Sequence, residues 1–135
     1  MMIEYVRVRG DVKPPQRANP SDAGLDVFFC PDDASVSAVT IPAGGSVILA
    51  TGLRFGVPHG YMLQAMNRSG IAAKRSLVVG AHVIDSGYDG EVFINLHNIG
   101  KETQVVKAGT KIAQLVMIPV VPFRALETHN DDLYN

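Results

Sequence analysis

Gly80-Ala81-His82-Val83-Ile84-Asp85-Ser86-Gly87-Tyr88-Asp89-Gly90 sets one acid and one aromatic on a tight turn between two strand-like runs. Val83 and Ile84 lead into the turn. After it Glu91 to His97 alternates, with Val92, Ile94 and Leu96 apolar on one face, a spacing that predicts a β-hairpin with Asp85 at its tip. Read alone, Asp85 is either a turn-capping acid or a base held against a pocket wall.

Outward from this turn the chain keeps one rhythm. Ser35 to Ile41, Ser46 to Phe55 and Tyr61 to Met66 read as strands, separated by Pro42-Ala43-Gly44-Gly45 and Val57-Pro58-His59-Gly60. Strands at such short intervals predict an all-β sandwich or barrel. In the middle run Val47, Leu49, Leu53 and Phe55 share one face with Thr51 and are core candidates. Ile3 to Arg9 predicts a first strand, and Pro14, Pro15, Asn19 and Pro20 forbid regular structure after it. Ala23 and Gly24 allow close backbone packing before Val27, Phe28 and Phe29 resume a strand. Asp26 at its head reads, alone, as a strand-end turn acid. Thr103 to Val106 and Thr110 to Val121 complete the set, the latter carrying Lys111 and Gln114 among apolar neighbours; that amide needs a partner, backbone or ligand.

Asn67-Arg68-Ser69-Gly70 breaks the rhythm, and Ile71 to Arg75 is the one good helix-forming stretch. Ser69 is placed to cap it. Arg68 with Ser69 and Gly70 reads either as an anion site or as a capped surface helix with a solvated arginine. Residues 1–124 are expected to form one domain and 125–135 a polar C-terminal tail that packs against little by itself.

Composition narrows the function. The 135 residues are 47% hydrophobic, as in a soluble globular domain with a real core. Twelve Lys and Arg against thirteen Asp and Glu give a formal net charge of −1, which argues against a nucleic-acid surface but leaves room for a small anion held by local cations. Cys30 has no partner for an internal disulfide, and the four histidines lack zinc-site spacing, so a reducing, cytoplasmic setting is expected. The N-terminus has no apolar secretion segment. The longest uncharged run, 34–53, is broken by Pro42, Gly44 and Gly45, so no membrane span is expected.

In order, the segments AGLDV, NRSGIAAK, VVGAHVIDSGYDG and AGTKIAQLV closely resemble four of the five motifs of the trimeric deoxyuridine triphosphatases (dUTPases), from Ala23 to Val116. The resemblance implies a jelly-roll-like β-barrel with one short helix, assembled as a homotrimer with active sites at subunit contacts. It implies Mg²⁺-dependent hydrolysis of dUTP to dUMP and pyrophosphate, limiting uracil in DNA and supplying dUMP. Asp85 falls at the general base that activates the water attacking the α-phosphate, and Tyr88 at the residue packed under the deoxyribose, where no 2′-hydroxyl fits. Main chain of Val79, Gly80, His82, Val83 and Ile84, closed by Phe93, falls where uracil is read. Arg68, Ser69 and Gly70 map to the phosphate segment, Gln114 to a phosphate contact, and Asp26 to the acid that holds Mg²⁺ through water.

The chain departs from the family pattern at Asn67, His82, Gly87 and Lys111, none of which removes a reacting group. His82 stands beside the uracil slot, where it either shapes the slot or is a plain surface residue. The family's fifth motif, a flexible Arg- and Gly-rich arm closing over the nucleotide, should begin about Asn135: either the chain runs on into it, the expectation favoured here, or the arm is absent, and then binding would survive while turnover falls. Two alternatives are kept: a dCTP deaminase-related enzyme, which shares the fold and needs a glutamate base such as Glu91, and a non-catalytic dUTP-binding trimer if the arm is absent.

Overall fold

Alternating burial around the central turn closes the core as the sequence pattern requires. A computed structural model describes residues 1–131, 133 and 134. Val92, Ile94 and Leu96 are all 2% exposed or less, and Leu49, Thr51, Leu53 and Phe55 are likewise buried. The strands are β1 (Glu4–Arg7), β2 (Leu25–Phe28), β3 (Ala38–Ile41), β4 (Ser46–Ala50), β5 (Leu53–Gly56) and β6 (Tyr61–Met66), then helix α1 (Ser69–Arg75), β7 (Leu77–Val79), β8 (Val83–Asp85), β9 (Phe93–Asn98), β10 (Gln104–Lys107) and β11 (Lys111–Pro119).

All pairings are antiparallel. They form a four-stranded sheet β2-β11-β6-β8, a three-stranded sheet β4-β9-β7, and the ribbons β1-β5 and β3-β10. Val27, Ile41, Leu53, Leu63, Ile94 and Ile112 from these sheets meet in one core. This is the all-β, jelly-roll-like arrangement expected, and no helix among the described residues is long and apolar enough to cross a membrane.

Three local expectations are corrected. The central turn is not a simple hairpin: β9 pairs with β7, while β8 leaves that stem and pairs with β6 of the other sheet, so Asp85 ends a strand that links two sheets. The run from Ser46 to Phe55 is two strands. It breaks at Thr51-Gly52, where Gly52 takes a φ of 73°, and the burial parity continues across the break while the hydrogen-bonding partner changes from β9 to β1. Ser69 does not cap α1; the N-cap is Arg68, in extended conformation with no side-chain cap bond, and Ser69 already lies in the first turn. From Val120 to Asp131 every residue is exposed and none lies in a helix or strand. The tail expected over 125–135 includes Asp132 and Asn135, which lie outside the described residues.

Candidate active site

The predicted site residues fall into two groups on opposite stretches of β6. The first is built on β2 and β11. Asp26 lies within β2 rather than at a turn, is 9% exposed, and stands opposite Gln114 in the ladder. Its main chain also bridges to Gln16 in the preceding loop. Gly24 allows the close approach that the sequence suggested: a Cβ there would stand 2.6 Å from the Leu115 carbonyl oxygen.

A carboxylate this buried needs counter-charge. Arg68 Nε donates to Asp26 Oδ1 at 3.1 Å, and Lys111 Nζ lies 3.5 Å from Oδ2. The Gln114 amide donates to the Asn67 carbonyl at 3.2 Å, and the Asn67 side chain accepts from the Val79 amide at 2.7 Å. Ser69 and Gly70 follow Arg68, both exposed, and as first-turn residues of α1 their amides have no intrahelical acceptor. The partner that Gln114 needed is therefore backbone, at Asn67.

The second group surrounds the central turn. Val83, Ile84, Asp85, Tyr88, Val92 and Phe93 line a cleft of about 190 Å³. Asp85 also borders a second cavity of about 460 Å³ shared with His59 and Tyr61. Among the described residues its carboxylate has no hydrogen-bond or ion-pair partner, so the capping alternative fails; only its carbonyl joins the turn, accepting from the Tyr88 amide. Within Val79 to Ile84 several main-chain groups are already used. The Val79 amide donates to the Asn67 side chain, the Gly80 amide to the Asn95 carbonyl, and the His82 carbonyl accepts from the Ala65 amide, while the peptide groups of Ala81 have no partner among the described residues. The exposed His82 ring turns back on the Gly80 carbonyl at 3.2 Å.

Asn67 links the two groups at Val79, but Asp85 itself stands apart from the Asp26 cluster within one chain. Asp85 pairs with Met62 and Gln114 with Met66, four residues along the same strand, or about 13 Å at the rise of a β-strand.

The contacts of Lys111 and Asn67 and the pairing of Arg9 with Glu91 escaped the sequence reading. Lys111 registered only as a departure from the family pattern; its contact with Asp26 depends on a bulge between Lys111 and Ala113 that no local pattern announces. Glu91 receives the Arg9 guanidinium at 3.1 and 3.3 Å and the Gly52 amide at 2.9 Å. The hydrogen bond to Glu91 raises the Arg9 pKa above its ordinary value, outweighing burial. A glutamate tied on both oxygens is not the free base a deaminase requires.

The sequence profile described as dUTPase matches residues 11–133. The chain belongs to the dUTPase family. Curated relatives carry the name deoxyuridine 5'-triphosphate nucleotidohydrolase. That of Alkaliphilus metalliredigens is 35% identical over 127 residues, spanning 93% of this chain and 84% of the relative. That of Desulfitobacterium hafniense is 41% identical over 121 residues, spanning 87% and 78%.

Among solved structures, the dUTPase from phage phi11 of S. aureus superposes with a TM-score of 0.85 at 22% identity, covering 99% of this chain and 100% of that one. Staphylococcus bacteriophage 80alpha dUTPase gives 0.84 at 22%, covering 97% and 98%. At this identity the structural matches speak to the fold, which is that of the dUTPases. A phi11 variant structure concerns coordination of a structural Mg(II) ion, and an 80alpha variant carries dUpNHpp.

Proposed function

We propose that this chain hydrolyses dUTP to dUMP and pyrophosphate, with Asp85 as general base. The observation that carries the reading is the Asp85 carboxylate, unpartnered among the described residues, at the wall of the cleft that holds Tyr88. An acid so placed can orient a water and accept its proton as the water oxygen bonds to the α-phosphorus. The bond from that phosphorus to the bridging oxygen breaks, and pyrophosphate leaves with the electron pair. Tyr88, half-exposed in the same cleft, is the surface on which the deoxyribose packs. Val83, Ile84 and Phe93 give the pyrimidine apolar walls, and the open peptide groups around Ala81 give it donors and acceptors. His82 borders that slot through its contact with Gly80.

Arg68, Ser69, Gly70 and Gln114 supply donors for the phosphates, and Lys111 adds a second cation. Asp26 fits a metal that arrives with its own oxygen ligands. It is a single carboxylate, and no cluster of three His, Cys, Asp or Glu that could cage an ion occurs among the described residues. Mg²⁺ bound with the triphosphate supplies charge neutralisation at the phosphoryl oxygens. Toward it Asp26 contributes hydrogen-bond acceptance from coordinated water.

The separation of the two groups along β6 supports a homotrimer in which one copy brings the Asp85 cleft and another the Asp26 cluster. The exposed apolar residues Phe93, Val121 and Phe123 fit such contacts. The test is pyrophosphate release with Mg²⁺ from dUTP, dCTP, dTTP and UTP. Turnover of dUTP alone, abolished in Asp85→Asn, is the expected result; ammonia release from dCTP, or dUTP binding without pyrophosphate release, overturns it.

A further inference from the structure

The loop from Ser86 to Glu91 carries the residue that meets the sugar, and its anchors are unequal. At its start the Ser86 hydroxyl donates to the Val57 carbonyl at 3.1 Å. In its middle Arg54 donates to the Asp89 carbonyl at 2.7 Å and pairs with the carboxylate of that residue, whose side chain is 89% exposed, so that the ion pair adds little to that tether. At its end stands the Arg9–Glu91 pair, with side chains only 22% and 16% exposed. The guanidinium grips both carboxylate oxygens of Glu91 and also donates to the Cys30 carbonyl at 2.8 Å. It thereby joins the end of β2, the break between β4 and β5, and the end of the loop.

Tyr88 is fixed against this same point. Its hydroxyl donates to the Glu91 carbonyl at 2.7 Å, and its ring lies across Gly90 so closely that a Cβ there would come 2.6 Å from the hydroxyl oxygen. The plane of the ring therefore depends on where Glu91 sits. The Glu91 side chain in turn is held by Arg9 and the Gly52 amide.

We propose that Arg9, acting through Glu91, is a positioning residue that sets Tyr88 and so governs discrimination between deoxyribo- and ribonucleotides. This rests on the reading of Tyr88 as the sugar-facing residue. A ring held by one hydroxyl contact against a fixed carbonyl excludes a 2′-hydroxyl by its position; a ring on a loosened loop yields to it. Lysine keeps the charge of Arg9 but not the fork that grips two oxygens at once.

The test compares kcat/KM for dUTP and UTP in Arg9→Met, Arg9→Lys and Glu91→Gln, alongside amide hydrogen exchange over Ser86 to Glu91. In Arg9→Met the preference for dUTP is expected to fall about tenfold, the low end of what steric exclusion of one small group provides. Arg9→Lys should recover part of it, and exchange at Tyr88 to Glu91 should quicken in step. If Arg9→Met does not fold, the two milder variants carry the same comparison. An unchanged dUTP-to-UTP ratio with a lowered melting temperature makes the pair structural only and overturns the proposal. A wild-type chain without dUTP turnover overturns the proposed hydrolase instead; exchange in Arg9→Lys then decides the positioning role alone, quicker exchange upholding it and unchanged exchange ending it.

Discussion

Asp26 and Asp85 are both strand carboxylates of the same proposed site, yet their surroundings are opposite. Asp26 is buried, laddered between a loop bridge and β11, and met by two cations. Asp85 ends a three-residue strand, is exposed, and has no partner for its carboxylate among the described residues. An acid whose charge is already balanced holds things in place; one with an open charge at a cleft wall can take a proton. Division of labour between two carboxylates thus follows from where counter-charges stand, before any ligand is added.

Substitution separates the two most sharply. Asp85→Asn should lower dUTP turnover by about a thousandfold, the usual scale of a lost general base, while stability changes by no more than about 0.5 kcal/mol because no contact is removed. Steady-state pyrophosphate release and a thermal melt check both halves. A large fall in melting temperature would break the contrast by showing that Asp85 is structural after all.

Asp26→Asn should show the reverse balance. It leaves Arg68 and Lys111 facing an uncharged amide, and the expected cost is about 2 kcal/mol of stability, read from urea denaturation, together with weaker nucleotide binding. Equal stability in mutant and wild type would mean that the cations gain nothing from the pairing.

A third carboxylate sets the lower bound. Asp33 is held below the usual carboxylate range by the Ser35 hydroxyl and amide, although it is fully exposed. Because its folded pKa is depressed, its contribution is present above the unfolded value, near 4, and is lost as pH falls through the lower folded value. Asp33→Asn should therefore lower stability slightly at pH 7, where the contribution is present, converge with wild type well below about pH 4, and leave turnover nearly unchanged, measurable by melts across pH.

How much of this was legible in the sequence depended on range. Period-two burial at Val92, Ile94 and Leu96 and at Leu49, Leu53 and Phe55 is local, and it placed the core faces correctly. The choice of ladder partner is not local: nothing around Val83 says that β8 leaves β9 for β6, and nothing around Gly52 says that β5 joins β1. For the site, the family motifs brought Asp26, Arg68, Gln114, Asp85 and Tyr88 into view. Lys111 beside Asp26 and Arg9 beside Glu91, 82 positions apart, arise only when distant segments meet. The misplaced cap has a simpler reason. Ser69 had the right chemistry for capping, but the backbone turns helical one residue earlier than that role allows.

The split of the central turn between two sheets also orders how the chain can assemble. The stem that presents the Asp85 cleft closes between Val79 and Leu96, 17 positions apart, whereas the Asp26 cluster closes between Asp26 and Gln114, 88 apart. Loop-closure entropy disfavours the longer span by about 1.5 kcal/mol. In pulse-labelled refolding, amide protection in β7 and β9 is therefore expected ahead of protection in β2, with simultaneous protection contradicting it. The proton-accepting half of the site would stand first, and the half that balances charge would arrive as the two ends of the chain come together.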